Sequence, residues 1–426
     1  MLHYQKQVQS VMSISSKTVA VIPIGGKGTR LKKIIGNIPK PIYQISGKST
    51  LLRICEILKL YGIKNIIITI GYESIQCINH INEIKKNLDL NIDFYQENIP
   101  LGESGSLWKI QEKLSDHFLF INGDLIFSLD FSRLYNFHFR LESDLTLVTH
   151  TSSHPYDSDL VSTPTGSLVE KLYLKNNKEH TKVNAYLGFS GIAIVNKKVL
   201  SKIEPPKDIK VSSLFQYLAK NAFDNLYRIY SYNTSEYIKD MGTPTRLEEA
   251  KKAIMKNTLN IKNYSNKQNA LFIDRDNTLL KCDIGEYILS KTKVTYLINN
   301  IKNLALLAKK YSLVVLVTNQ PQISMGKLTF EQLEIIHSKL INVCLEYDLK
   351  IDVVAFCPHH PHKGFDSEIS ILKTDCFCRK PNPGLFYEQA YLRNINLNKS
   401  LMIGDSNSDK EAALNSGCDF CFIDEL

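Results

Sequence analysis

Residues 19–31 read VAVIPIGGKGTRL, and Pro39-Lys40-Pro41 follows closely. The unbroken apolar run Val19–Ile24 predicts a strand buried on both faces, as in a parallel sheet. It ends in glycines, whose missing Cβ lets the main chain approach an oxyanion and present N–H groups to it. Gly25, Gly26, Gly28 and Thr29 are therefore candidate phosphate contacts, and Arg30 and Lys40 supply the positive charge a polyphosphate requires. A tight turn with two solvated cations would account for GGxG alone. The added PKP element argues for the functional reading.

Outward from this stretch, strand-like runs (Ile66–Ile70, Phe118–Ile121, Gly191–Val195) alternate with stretches of helical period (Leu51–Leu60, Ile75–Ile84) as far as about Gly242. That alternation predicts an α/β domain with a largely parallel sheet. A polar segment rich in Asn and Lys follows, and a second alternation begins at Ala270–Ile273. It continues through helix Ile298–Lys309, strand Leu313–Val317, helix Phe330–Leu345, strand Val353–Phe356 and strand Leu401–Ile403. The expected division is a first domain over 1–255, a linker over 256–268 and a second α/β domain over 269–426.

Composition agrees with this class. Of 426 residues, 43% are hydrophobic and 22% charged, enough apolar material for two cores and too much for a disordered chain. No apolar run reaches the roughly 18–20 residues of a membrane-spanning helix, and the first twenty residues lack a signal core, so a soluble, cytoplasmic protein with no membrane partner is expected. The formal charge of +9 resides in residues 1–267, with 35 Lys+Arg against 24 Asp+Glu, whereas 268–426 hold 17 against 19. The cations are scattered, so phosphorylated small molecules explain the bias better than nucleic acid does. Nine cysteines without an export signal predict thiols rather than disulfides. Cys55, Cys77, Cys282 and Cys344 read as ordinary buried residues, and Cys418 and Cys421 as core of the last strand region.

The opening stretch, together with Pro100-Leu101-Gly102-Glu103-Ser104-Gly105, Asn122-Gly123-Asp124, Val169-Glu170-Lys171, Phe189-Ser190-Gly191-Ile192 and Asp240-Met241-Gly242-Thr243-Pro244, resembles the nucleotidyltransferases that join sugar 1-phosphates to nucleoside triphosphates. The resemblance covers about the first 250 residues. It implies a Rossmann-like α/β fold, with Asp124 and Asp240 holding Mg²⁺ between nucleotide and sugar phosphate. It further implies Glu170 and Lys171 on the sugar side and Gly102 and Gly105 lining the base and sugar pocket. Read alone, NGD would be a turn and DMGTP a helix start capped by Asp. Pro23-Ile24 and Glu103-Ser104 depart from the commoner Leu-Ala and LGxxG residues.

In the second domain, Asp274-Arg275-Asp276-Asn277-Thr278-Leu279 closes a strand, where ligand sites of such sheets lie. Thr318-Asn319-Gln320, Arg379-Lys380-Pro381 and Gly404-Asp405-Ser406-Asn407-Ser408-Asp409 follow in order. The set resembles the haloacid dehalogenase superfamily of phosphatases over 270–418. By that resemblance Asp274 is the nucleophile and Asp276 the acid and base. Asp274, Asp276 (through its main-chain carbonyl), Asp405 and Asp409 form the Mg²⁺ site. Thr318 and Lys380 hold phosphoryl oxygens, and Asn319, Gln320 and Arg379 bind substrate. Asn277 replaces the usual Gly, and Met325 the usual Arg of the next loop.

Residues 357–378, CPHHPHKGFDSEISILKTDCFC, hold Cys357, His359, Cys376 and Cys378 in a C-x-H…C-x-C pattern, with His360 and His362 as rival ligands. A set of four S/N ligands predicts a closed, structural Zn²⁺ site. The loop running into CxCRKPxPG resembles the subgroup of heptose bisphosphate and histidinol-phosphate phosphatases, in which Arg379 would grip a second phosphate. Joined, the two resemblances imply a bifunctional enzyme of activated-heptose synthesis, with GTP favoured as the nucleotide. The alternatives are a transferase for another sugar 1-phosphate fused to a different phosphatase, a chain with one catalytically silent domain, and a nucleic-acid binder. No feature of the sequence fixes base, sugar, anomer or oligomeric state.

Overall fold

The computed structural model describes residues 14–25, 29–71, 75–97, 101–175, 185–207, 213–283, 286–289 and 294–426. The chain packs as two compact units. Met1–Thr149, Phe189–Tyr232 and Glu236–Asn263 make the first, and His150–Gly188, Asn233–Ser235 and Tyr264–Leu426 the second. The stretch 256–268 contains the helical turn Thr258–Ile261 and the buried Tyr264.

In the first unit, β1 (Val19–Pro23), α1 (Thr50–Leu60), β2 (Asn65–Ile70), α2 (Ile75–Leu88), β3 (Asn91–Gln96), β4 (His117–Ile121), β5 (Leu125–Phe127), α3 (Phe131–Arg140), β6 (Leu145–Thr151), β7 (Leu187–Asn196), β8 (Ile229–Asn233), β9 (Ile238–Asp240) and α4 (Pro244–Met255) follow in chain order. The sheet runs β7-β4-β1-β2-β3, and β6 pairs both β7 and β8. Strands β1 to β4 are mutually parallel, and β7 is antiparallel to β4. Strand order therefore reverses between β1 and β4. At such a switch point the connections leave in opposite directions and open a crevice at the strands' carboxyl ends. Helix α1 starts where Ser49 accepts from the Leu52 amide, and buries Leu51, Ile54, Cys55 and Leu58 on one face. The α2 pattern extends one turn past the expected Ile84, to Leu88.

The second unit contains β10 (Ala270–Ile273), α5 (Ile298–Ala308), β11 (Leu313–Asn319), α6 (Phe330–Glu346), β12 (Val353–Cys357), α7 (Gly384–Arg393), β13 (Leu401–Gly404), α8 (Asn407–Ser416) and β14 (Asp419–Phe422). Its sheet is wholly parallel, in the order β12-β11-β10-β13-β14, and reverses between β10 and β13. Strands β10 and β11 are buried along nearly their whole length, as their unbroken apolar runs require. The hairpin Leu160–Ser162 and Lys171–Tyr173 also belongs to this unit. Cys55, Cys77, Cys344 and Cys418 are buried as expected, but Cys282 and Cys421 are only partly so. Cys282 follows the two-residue strand Leu280–Lys281 and Cys421 lies within the edge strand β14, and the Cys282 thiol turns to the Glu286 carbonyl at 3.3 Å. Among the described residues no helix is long and apolar enough to cross a membrane.

Candidate active sites

In the first unit the chain leaves β4 through Asn122-Gly123-Asp124. A Cβ at Gly123 would lie 2.5 Å from Ile24 Cγ2 and 2.7 Å from the Pro23 carbonyl, so only glycine lets this turn close over the end of β1. The Gly123 amide donates to that carbonyl at 3.2 Å. Strand β9 pairs antiparallel with β5, setting Asp240 opposite Leu125 and bringing Asp240 beside Asp124. Lys40 Nζ is 3.3 Å from Asp124 Oδ2. Burial raises the Asp124 carboxyl, Lys40 opposes that, and Asp240 adds to it. Asp240 accepts from Arg246 Nη1 at 3.0 Å on both oxygens and from the Gly242 amide at 2.7 Å. A side chain at Gly242 would meet Arg30 Nη2 at 3.5 Å, so the Arg30 tip stands over the same loop. The cap of α4 is Thr243, accepting from the Arg246 amide, which leaves the Asp240 carboxylate to the site rather than to the helix end.

Two neighbouring carboxylates, both partly exposed, with Lys40 against one of them, suit a divalent cation with oxygen ligands. Gly26 and Gly28 lie outside the described residues, as does the Thr29 side chain. Gly25 packs main chain to main chain against Gly71. Gly102 adopts φ +77°, and Gly105 is buried at the start of the turn Gly105–Trp108. Glu170 and Lys171 stand on the hairpin of the second unit, where the Glu170 amide donates to the Ser162 carbonyl and its carboxylate accepts from Thr165.

In the second unit, the switch point gathers Asp274 from β10, Asp405 and Asp409 from the loop after β13, and Lys380. Carboxylate oxygens of Asp274, Asp405 and Asp409 lie within 4.8 Å of one another. Buried Lys380 Nζ donates to Asp274 Oδ1 at 2.6 Å, Asp409 Oδ1 at 2.5 Å and the Val317 carbonyl at 2.9 Å. Burial works against the lysine's charge, but the two carboxylates outweigh it and hold the ammonium protonated. Burial pushes the Asp274 carboxyl up to about 7 against the pull of Lys380. Asp409 is fixed locally by a reciprocal cap with Ser406, whose amide and hydroxyl both reach Asp409 Oδ2. With Oδ1 on Lys380, both Asp409 oxygens are engaged, so it braces the loop, and Asp274 and Asp405 are the freer oxygen donors. The crowd of carboxylates around one ammonium fits Mg²⁺ chemistry.

The Asp276 carboxylate is gripped by Arg275, Nε to Oδ1 and Nη2 to Oδ2, each at 2.9 Å. Thr318 is buried and receives Gln320 Nε2 at 2.9 Å. Asn319 accepts from the Lys380 amide and donates to its carbonyl, each at 3.0 Å. Arg379 donates to the His359 carbonyl at 3.3 Å. Asn277, standing where glycine is usual, adopts φ +54°. Asparagine tolerates that region better than other side-chain-bearing residues, and its carboxamide accepts from the Cys282 amide at 2.9 Å. Met325 is buried, so its loop offers no cation at that point.

Cys357, His359, Cys376 and Cys378 converge. Cys357 lies 3.5 Å from Cys376 and 3.3 Å from Cys378, Cys376 and Cys378 are 3.3 Å apart, and His359 Nδ1 is 3.3–3.6 Å from two of the sulfurs. A tetrahedral S₃N site with Zn–S near 2.3 Å has edges of about 3.5–3.8 Å, so the cluster has nearly those dimensions and a donor set that suits zinc. His360 and His362 contact each other instead. Sequence reading passed over Arg275, Arg246 and Ser406. Arg275 and Ser406 carry local signals, one inside DRD and one three residues before Asp409, whereas Arg246 has none.

Residues 19–257 match the family profile described as Nucleotidyl transferase, and residues 377–425 match one described as HAD-hydrolase-like. The mannose-1-phosphate guanyltransferase of Schizosaccharomyces pombe is 29% identical over 231 residues, 53% of this chain and 61% of that protein. The mannose-1-phosphate guanylyltransferase of Mycobacterium tuberculosis is 28% identical over 228 residues, again 53% and 61%. The chain thus spans about three fifths of the length of these relatives. The crystal structure of HddC from Yersinia pseudotuberculosis is similar at 27% identity and a TM-score of 0.45, covering 56% of this chain and 99% of that one.

Proposed function

The chain belongs to the nucleotidyl transferase family, and on that premise we propose that it is a bifunctional enzyme of activated-heptose synthesis. Residues 269–426 remove the 7-phosphate of D-glycero-D-manno-heptose 1,7-bisphosphate. Residues 1–255 transfer a nucleotidyl group to the resulting heptose 1-phosphate and release pyrophosphate. The observation that carries the reading is the pair of independent carboxylate and lysine constellations, Lys40 with Asp124 and Asp240, and Lys380 with Asp274 and Asp409. The product of the second is chemically the substrate class of the first. GMP transfer from GTP is favoured, in keeping with the guanylyltransferase relatives, and a cytoplasmic location is part of the same reading.

In the transferase, an oxygen of the sugar phosphate attacks the α-phosphorus of the triphosphate and pyrophosphate departs. Arg30 and Lys40 neutralise charge and orient the phosphates, Asp124 and Asp240 hold Mg²⁺, and Gly102 and Gly105 border base and sugar. In the phosphatase, Asp274 attacks phosphorus to form an aspartyl-phosphate while Asp276 gives its proton to the leaving alcohol. Asp276 then takes a proton from water, which attacks the same phosphorus, freeing phosphate and restoring Asp274. Lys380 and Thr318 bind the phosphoryl oxygens and Arg379 the second phosphate. Bound at Asp274, Asp405 and the Asp276 carbonyl, Mg²⁺ supplies charge neutralisation in this unit, as it does in the other. Zn²⁺ at Cys357, His359, Cys376 and Cys378 holds the loop that carries Arg379 and Lys380.

The test is a substrate panel: the bisphosphate and candidate sugar 1-phosphates with Mg²⁺ and each nucleoside triphosphate in turn. Phosphate release from the heptose bisphosphate, then pyrophosphate release with GTP, is the expected outcome. Absence of phosphate release from that sugar removes the heptose assignment, and turnover of a hexose 1-phosphate alone supports the second reading.

A further inference from the structure

Gln320 is wholly buried, and its polar groups are committed within the protein. Its side-chain nitrogen donates to Thr318 Oγ1 at 2.9 Å and to Asp276 Oδ2 at 3.3 Å, and its side-chain oxygen accepts from Gln322. Its main-chain amide donates to the Cys357 carbonyl at 2.7 Å, and its carbonyl accepts from the Ile323 amide at 3.4 Å. It has no face to offer a substrate. Arg275 is equally enclosed and spends two nitrogens on Asp276. The third, Nη1, is buried with no hydrogen-bond acceptor, an arrangement that stability alone does not explain. Burial, with the Arg275 charge adding to it, holds the His337 imidazole of α6 well below the usual histidine range. Asp276 meanwhile keeps 29% of its side chain exposed.

We propose that Arg275 and Gln320 are positioning residues that aim the Asp276 carboxylate at the leaving oxygen of the phosphate ester, neither touching substrate. The proposal rests on the phosphatase reading above. Arg275 spans both oxygens and Gln320 adds a second donor at Oδ2, which together fix the carboxylate plane, and the Gln320 amide links that plane to the Thr318 hydroxyl. Through Cys357 the same residue is tied to the Cys/His cluster.

The experiment compares two esters by kcat/KM, which reports the steps up to departure of the leaving group. The variants are Gln320→Met, Arg275→Lys and Arg275→Met. One ester is p-nitrophenyl phosphate, whose phenolate leaves without a proton. The other is heptose 1,7-bisphosphate or, if that sugar is not turned over, the best alkyl phosphate of a hexose and pentose phosphate panel. Misplaced general acid should cost the alkyl ester at least ~10-fold and the nitrophenyl ester less than ~3-fold, with Arg275→Lys retaining more than Arg275→Met. The transferase reaction of the same chain serves as folding control. If Arg275→Met fails it, the other two variants decide. Equal losses on both esters, or none, overturn the clamp while leaving the phosphatase reading intact. If the unmodified chain hydrolyses neither ester, the phosphatase reading fails and the clamp falls with it.

Discussion

Asn277 shows how much one backbone angle decides. At φ +54° a β-branched residue is strained by about 1–2 kcal/mol, whereas glycine is not. Asn277→Val should therefore unfold the phosphatase unit about 1–2 kcal/mol more easily than Asn277→Gly, as read from its urea transition. Equal stability of the two would mean the angle is not held in solution. Glu334 of α6 offers a second test at this scale. Burial pushes its carboxyl up to about 7, against hydrogen bonds from the Ser162 hydroxyl and the Thr163 amide and with Glu170 and Glu331 adding to the rise. Between the ordinary value of 4.5 and about 7, the unfolded chain has lost this proton and the folded chain keeps it. The contribution is therefore complete below the lower value and disappears as pH rises through the upper one. Its size is on the order of 3 kcal/mol. Glu334→Gln should flatten that part of the stability profile, measured by denaturation between pH 4.5 and 8. An unchanged slope would show that Glu334 ionises normally.

Strand-to-loop junctions carry the chemistry, and glycines set their tolerances. At Gly404 a Cβ would lie 2.5 Å from Asp409 Oδ2. Gly404→Ala should displace Asp409 from Lys380 and lower phosphatase kcat by roughly 100-fold or more, on the scale of lost preorganised groups, while the transferase keeps its rate. Retention of phosphatase activity would show that Asp409 is dispensable. The zinc loop makes a separate prediction: about one Zn²⁺ per chain by elemental analysis, lost in Cys378→Ser together with thermal stability of the phosphatase unit. A metal-free, equally stable protein would contradict it. The central strands were legible in advance because an apolar run such as Leu313–Val317 has little choice but a buried strand. Helices α7 and α8 escaped notice because their buried positions, though helically spaced, are largely polar or small: Gln389 and Arg393 in α7, and Asp409, Ala412, Ala413 and Ser416 in α8. The carboxylates could be named because they stand in motifs shared with known families, and Asp274 and Asp405 also follow strands at the switch point of their sheet. Gln320 could not be told from a substrate contact, and Arg275 stood out not at all, because burial is set by what packs over a loop, and the motif does not encode that.

For the whole molecule, the division by packing differs from division by sequence: His150–Gly188, within the stretch that matches the transferase family, packs with the second unit. Substitutions confined to Asp274, Asp405 or Lys380 should nonetheless leave transfer to a ready-made sugar 1-phosphate intact, because the residues assigned to that reaction include none of them. Asp274→Asn is the most direct measurement, since it keeps the shape of the residue and removes the nucleophile. The variant should release pyrophosphate from heptose 1-phosphate and Mg²⁺-GTP at the rate of the unmodified chain, and neither phosphate nor pyrophosphate from heptose 1,7-bisphosphate. Loss of both reactions in a folded variant, or phosphate release that survives the substitution, would contradict the account of two separate active centres.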